Sequence, residues 1–281
     1  MTASLSPDPI ADLRRLLEFP FMVHALAAGT IVAVLGATVG WYVVLRRQAF
    51  ASHTLSVMAF PGASGALLVG LPMSLGYYIA CLLAAVAIGG GGARRRSKGA
   101  DAAAIGTVQA VGLAIGFLFL ALDRSILGGP ETLLFGTFLG ITAGQVVGLA
   151  AVAAAALAAL AVLARPLLLC SIDAELARAR GLPVRLLDAA FVLILGLTIA
   201  ATSQLTGALL VLAVLVAPAA AAQQVTRRPL PGLALGIALA LAIVWLALAL
   251  AYFSIYPVGF YVTTLAFAAY VAARAARAGR S

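Results

Sequence analysis

The sequence predicts an all-α, polytopic integral membrane protein with about nine (eight to nine) transmembrane helices. Three observations lead there. Of 281 residues, 64% are hydrophobic without counting glycine, and 10% are charged. Soluble domains run at roughly 45–50% apolar with glycine included and roughly 25% charged. Mean hydropathy is +1.14. Finally, the apolar residues come in runs, most of them close to the ~20 residues that cross a hydrocarbon layer, separated by short basic clusters. No soluble core of this size hides that much apolar surface. The composition therefore excludes a soluble enzyme, a disordered chain and a nucleic-acid-binding domain. The +9 net charge is spread over those short clusters rather than along one face, so membrane lipid is the expected partner and nucleic acid is not.

In chain order the expected spans are 21–45, 54–71, 74–92, 102–122, 142–164, 187–202, 205–224, 231–253 and 256–273. Residues 1–19 hold Pro7, Asp8, Pro9, Asp12 and Glu18 without a compact apolar region, so an extracytoplasmic N-terminal segment and no cleaved signal are expected. The first span ends at Arg46-Arg47. The second contains Pro61-Gly62, which interrupts the backbone ladder and marks either a simple kink or a cavity wall. The third ends before the basic run Arg94–Lys98, and the fourth carries Gly112 and Gly116. Gly128-Gly129-Pro130 is a stop, so 130–140 reads as a half-helix or re-entrant piece before the fifth span.

Residues 187–226 form one apolar block, about twice the membrane thickness at roughly 1.5 Å per residue. The block is expected to fold back, with Thr202-Ser203-Gln204 followed by Thr206-Gly207 as the break. Gly136, Gly140, Gly144 and Gly148 are expected to form a ridge for close helix packing, as are Gly36/Gly40, Gly112/Gly116 and Gly232/Gly236.

Charge parity tests the count. The loops after the first, third, fifth and seventh spans, together with the C-terminal tail 275–281 and its flank, hold fifteen of the eighteen basic residues, from Arg46 and Arg47 to Arg277 and Arg280. The positive-inside rule places these in the cytoplasm and the N-terminus outside, in a bacterial-type plasma membrane. Eight spans remain open if the fold-back is handled differently.

Several chemistries lack their residues. Gly62-Ala63-Ser64-Gly65 matches a G-x-S-G nucleophile pattern, but that chemistry needs a base, and both histidines, His24 and His53, precede Ser64. No Asp or Glu lies deep in a span, which argues against an intramembrane aspartyl enzyme and against a proton- or sodium-coupled carrier. Cys81 and Cys170 have no metal or redox spacing. No G-x-x-x-x-G-K-[ST] loop occurs, so any ATP and Mg2+ must be bound by another subunit, and no cofactor is expected in this chain. His24, at the outer start of the first span, reads as interfacial.

The informative hydrophilic insertion is 165–187. Ser171 can cap a short helix there, Asp173 and Glu175 suit its positive end, Ala177 and Arg178 lie within it, and Gly181 before Pro183 ends it. Such a helix can plug a partner's groove or lie on headgroups.

The segment S-I-D-A-E-L-A-R-A-R-G-L-P at 171–183 resembles the coupling segment of metal-type ABC-transporter permeases, the zinc/manganese/iron family. Other pieces agree in order: V-V-L-R-R-Q-A-F at 43–50, L-F-G-T-F-L-G at 134–140, Q-L-T-G-A-L-L-V-L-A-V-L-V-A-P-A-A-A-A at 204–222, and Pro257-x-Gly259. The similarity covers roughly 20–274. It implies a type II ABC importer-like fold with a transmembrane permease domain over 20–274 and a cytoplasmic coupling loop at 165–187. It also implies a homodimeric pore, ATP-binding-cassette ATPase subunits beneath it and an extracytoplasmic substrate-binding protein. Ser171, Asp173, Glu175, Ala177, Arg178 and Gly181 would couple to the ATPase.

The family's second span carries G-D-x-L-S-H-x-x-x-P-G, whereas this chain reads S-H-T-L-S-V-M-A-F-P-G at 52–62. His53 stands for the Asp and Val57 for the His, while Ser56, Pro61 and Gly62 are retained. By resemblance these positions line the translocation pathway, with His53 as the metal-contacting group. An imidazole suits zinc, copper, iron or nickel, and losing the carboxylate makes manganese less natural. Alternatively, His53 caps or flanks the cytoplasmic end near Arg47. The expected function is inward transport of a transition metal or its chelate. A secondary transporter or exporter without an ATPase is the alternative.

Overall fold

The computed structural model describes residues 18–90, 98–122, 133–136, 140–226 and 228–279. Among them the chain is helical, with no strand. The helices are α1 (Pro20–Leu45), α2 (Ala49–Leu68), α3 (Met73–Gly90), α4 (Lys98–Leu122), α5 (Ala143–Ile172), α6 (Ala174–Ala179), α7 (Val184–Leu215), α8 (Ala217–Val225), α9 (Pro229–Tyr252) and α10 (Val258–Ala278). Among the described residues, five stretches are long and apolar enough to cross a membrane: Pro20–Leu45, Ala143–Ile172, Val184–Val225, Pro229–Tyr252 and Val258–Ala278. Met73–Gly89 and Gly106–Leu122 are shorter apolar helices. Large side chains face outward along them, Val162 at 80% and Phe267 at 68% exposure among them. Apolar surface of that extent fits a hydrocarbon surround and not water.

The chain divides into two compact units. One takes its described residues from Met1–Val44, Thr137–Ala153 and Leu212–Ser281; the other takes them from Leu45–Gly136 and Ala154–Val211. In the first unit α8, α9 and α10 pack on one another. Gly36 and Gly40 of α1 admit the backbone of Val214 and Leu215, and a Cβ at Gly40 would overlap the Leu215 carbonyl. Polar side chains tie the same unit. Gln223 Nε2 donates to the Trp41 carbonyl at 2.9 Å, Trp245 Nε1 donates to Thr30 Oγ1 at 2.9 Å, and Arg277 reaches Gln224 at 2.7 Å.

In the second unit α2 packs against α3 and α4. Its crossing with α3 is glycine on glycine, because a Cβ at Gly62 would overlap the Gly76 carbonyl and one at Gly76 would overlap that of Gly62. Met58 and Phe60 fill the notches at Gly112 and Gly116 of α4. The core around them includes Phe60, Phe191, Leu55, Leu195 and Ile199.

Four expectations change. The ridge from Gly136 to Gly148 does not form: Gly136 and Gly140 have φ of 70° and 104°, while Gly144 and Gly148 face open space. The fifth span does not stop at 164. α5 runs through Arg165-Pro166 to Ile172, because a proline removes one N–H and the ladder resumes beyond it. Helices therefore extend past the apolar run, and α2 likewise begins at Ala49 and not at 54. The break in the long apolar block is Gly207 alone, with φ 71° and ψ 165°, a conformation reserved for glycine. Thr202-Ser203-Gln204 stays helical, since Thr202 and Thr206 hydroxyls donate to the carbonyls of Thr198 and Thr202 and Gln204 donates to that of Ala200. Of the expected half-helix 130–140, residues 133–135 are helical, and 130–132 and 137–139 lie outside the described residues, as do Gly128-Gly129.

The glycine contacts lead to a test. Gly62→Ala should cost about 1–3 kcal/mol through overpacking. Gly148→Ala, where a Cβ meets nothing within 4 Å, should leave stability unchanged or slightly raised. Thermal unfolding of the full chain in detergent checks both.

Candidate functional site

Along α2, His53, Val57, Phe60 and Ser64 recur at helical spacing on one face, and Val57, Phe60 and Ser64 are buried. His53 is half-buried, and its Nδ1 is buried without a hydrogen-bond partner. One turn on, the fully buried Ser56 hydroxyl donates to the carbonyl of Ala208, the residue after the Gly207 break. Gly207 in turn abuts Leu134 and Gly136, which leaves no room for a side chain. Just before the break, α7 buries Thr198, Thr202, Ser203 and Thr206, and two of these hydroxyls, Thr198 Oγ1 and Ser203 Oγ, lack partners. Buried hydroxyls and imidazole nitrogens are ordinarily hydrogen-bonded, so each of these three orphans, one on α2 and two on α7, leaves polar capacity unused.

Pro61 and Gly62 belong elsewhere. With Thr54, Met58 and Gly76 they line an apolar cavity of about 760 Å3 between α2, α3 and α4, which His53 and Ser56 do not line. The four pathway residues therefore fall on two faces of one helix. Thr54 contributes the polar feature of the groove: its hydroxyl donates to the Phe50 carbonyl at 3.0 Å and accepts from Gln109 Nε2 at 3.0 Å. Ser64 commits its hydroxyl to the carbonyls of Phe60 and Pro61, at 3.0 and 3.3 Å, beside the ladder gap at Pro61. Among the described residues no three of His, Cys, Asp and Glu come together to hold a metal.

The second candidate lies where α1, α5 and α7 end or begin. Arg46 follows α1 with its side chain 7% exposed. Its Nη2 pairs with Asp188 of α7, its Nη1 donates to Ser171 of α5 at 3.3 Å, and its guanidinium lies over the Phe191 ring at 5.0 Å. Asp188 is the counter-ion that lets an arginine stay buried.

α6 sits between α5 and α7. Ser171 is not its cap: it lies in the last turn of α5, where its hydroxyl donates to the Leu167 carbonyl. Asp173 is the cap, since its carboxylate accepts from the N–H groups of Glu175 and Leu176 at 2.9 Å each. The other end is a Schellman stop: Leu182 N–H donates to Ala177 O at 3.1 Å and Gly181 N–H donates to Arg178 O at 2.9 Å, with Gly181 at φ 76°. Ala177 is fully buried, while Glu175, Leu176, Arg178 and Arg180 are exposed. A six-residue helix is too short to persist alone. Both caps and the buried Ala177 hold it in place.

A profile described as the ABC 3 transport family matches residues 18–277. The chain belongs to this family. It is 29% identical over 214 residues to the manganese transport system membrane protein MntC of Halalkalibacterium halodurans, covering 76% of this chain and 73% of that one. It is 29% identical over 228 residues to the chelated iron transport system membrane protein YfeD of Yersinia pestis, covering 81% and 73%. Among solved structures it matches a chain of PsaBC from Streptococcus pneumoniae in complex with Fab. That match has a TM-score of 0.82 at 24% identity and covers 94% of each chain. This is a multi-pass membrane protein with the fold of an ABC 3 permease.

Within the family fold, sequence reasoning missed Asp188, Thr198 and Ser203. A signal existed for Asp188, the lone acid at the head of a long apolar run that otherwise begins with Arg185.

Asp188→Asn should destabilise the chain more than Arg46→Gln. The first strands a buried guanidinium, while the second leaves a carboxylate that is 48% exposed and can be hydrated. A double-mutant cycle by chemical unfolding should give a coupling of about 1 kcal/mol, below that of a fully buried pair.

Proposed function

We propose that the chain is the membrane-spanning permease subunit of an ATP-driven importer for a transition-metal ion of the zinc, manganese or iron class, or its chelate. Two copies form the pore, separate ATP-binding-cassette subunits supply ATP and Mg2+, and an extracytoplasmic binding protein delivers cargo. The observation that carries the reading is the match to the ABC 3 transport family over residues 18–277. The manganese and iron assignments of the relatives support the cargo class. The chain's own residues offer an imidazole on α2, buried hydroxyls on α7, and no acid deep within the described spans, Asp101 and Asp188 both standing in the first two turns of their helices. Borderline and chelated ions tolerate such a lining better than hard ions do.

The proposed topology has nine crossings over 20–274, with 1–19 outside and both 165–187 and 275–281 in the cytoplasm. It rests on the basic clusters. α6 is then the coupling helix. Asp173 alone joins it to α5 and four residues, 180–183, join it to α7, so a push on its exposed face passes directly to the helix that breaks at Gly207. Glu175 and Arg180 would meet the ATPase, with Arg178 at the edge of that contact where it lines the cavity beside Arg46 and Arg47, while Asp173, Ala177 and Gly181 keep the helix in place.

Two measurements test this. Deleting the gene should lower one of the cell's total zinc, manganese, iron, copper or nickel contents selectively. The intact gene should restore it and His53→Ala should not. Full rescue by His53→Ala removes His53 from the pathway, and no change in any metal refutes the cargo class. Separately, Gly181→Val forces a β-branched residue into the left-handed region and should release the ATPase subunits from gently solubilised complexes, with the permease still in the membrane. Transport intact with no ATPase recovered from the native chain would overturn the importer reading.

A further inference from the structure

We propose that the polar cavity at the junction of α1, α5 and α7 binds a phosphate group, supplied by an anionic phospholipid headgroup or by free phosphate. The cavity has a volume of about 460 Å3 and is lined by Arg46, Arg47, Gln48, Ser171, Arg178 and Asp188, among others. Three guanidinium groups thus meet one carboxylate, and Arg46 already takes that carboxylate. Arg47 and Arg178 face the same space with no acceptor. Arg46 points the same way: its side chain is 93% buried by the complement of its 7% exposure, yet its Nε is buried without a partner. A buried N–H on a charged group that goes unsatisfied is costly, and an oxyanion in the cavity would answer the positive charge that Asp188 alone leaves unbalanced.

Gln48 adds a second orphan, because its Oε1 is also buried and unpartnered. The amide can be turned by 180° to present its NH2 group instead, which makes it a further donor to an anion. Arg47 is the one non-glycine residue with positive φ among the described residues, at 55°. A tetrahedral phosphate accepts from several directions at once and matches guanidinium forks arriving from separate segments.

The cavity lies at the level where α1 and α5, helices of membrane-spanning length, end and α7 begins, which is headgroup depth. Phe50, Ile172 and Leu186 flank it in sequence and are 47%, 71% and 67% exposed, suited to acyl chains beside a bound headgroup. The site does not depend on the transport reading.

The test uses the full chain, delipidated in an uncharged maltoside detergent. It is titrated with short-chain phosphatidylglycerol, inorganic phosphate, and short-chain diacylglycerol as the phosphate-free control, with binding read by native mass spectrometry. Wild type should retain phosphatidylglycerol and not diacylglycerol. The double variant Arg47→Asn/Arg178→Gln should bind at least tenfold more weakly, asparagine being chosen because it tolerates positive φ. Displacement of the lipid by millimolar inorganic phosphate assigns recognition to the phosphate alone. Retention against phosphate makes the membrane lipid the source. If the double variant folds poorly, Arg178→Gln alone, on the exposed face of α6, should still weaken binding several-fold. Equal binding by variant and wild type, equal retention of diacylglycerol, or no binding of either phosphate probe overturns the proposal.

Discussion

Hydrocarbon offers no hydrogen-bond partners, so a chain that crosses it must satisfy every backbone N–H and C=O from within. The structure follows from that constraint. It explains why the described chain is helical with no strand, and why the helices run past the apolar segments at Ala49 and through Arg165-Pro166. It also explains how the polar residues of the spans are used. Thr30, Thr38, Thr54, Ser64, Thr202, Thr206 and Thr263 each return a hydroxyl to the carbonyl one turn back. A threonine so bonded presents a methyl group to its neighbours and is almost an aliphatic residue.

Pro61 opens a gap in α2 by removing the amide donor of the Val57 carbonyl, and Ser64, just beyond, donates to the carbonyls of Phe60 and Pro61. Gly207 opens one in α7, and the next carbonyl, that of Ala208, is taken by Ser56 from α2. The break in one helix is thus sealed by the face of another. The same logic applies to charge at Arg46. Burying a guanidinium is seldom a net gain in stability, even when it is paired. A pair with Asp188, a bond to Ser171 and a stack on Phe191 nevertheless fix three segments to one another at one point, immediately before α6 begins. The gain is in register, which matters for a short helix whose placement depends on the segments on either side.

Much of this was legible in the sequence because a few strong signals govern it. Composition establishes the class, and the runs locate the helices. Gly36, Gly40, Gly112 and Gly116 foretell close approaches, and Gly181 before Pro183 foretells where α6 ends. What escaped notice depends on partners distant in sequence. The four-residue period from Gly136 to Gly148 is the same on paper as a true ridge, and only the backbone shows that Gly136 and Gly140 are turn residues. Ser171 and Asp173 are both good caps by type. The choice between them rests on α5 continuing past Pro166, which a proline in the text argues against. The polar cluster at 202–206 reads as a break because its residues favour turns, yet each can also bond one turn back, and in an apolar surround that outcome wins.

His53, Thr198 and Ser203 stand apart from the pattern. Nearly every other hydroxyl in the spans is closed upon its own helix, so an orphan here is not the ordinary condition of a polar residue in hydrocarbon. Thr198 could in principle bond back to the carbonyl of Ile194, as Thr202 does to Thr198, but it does not. An apolar replacement at these positions would remove the cost of the unsatisfied groups. Their retention is physically reasonable if the missing partner is transient. A passing cation or chelate supplies one: imidazole nitrogens and hydroxyl oxygens are weak ligands, and weakness is what a conduit requires, because a site that held its cargo as a three-carboxylate cage does would not release it. On the proposed reading, the lack of acids deep in these spans is therefore a property of passage, and tight selection belongs to the protein that delivers the cargo.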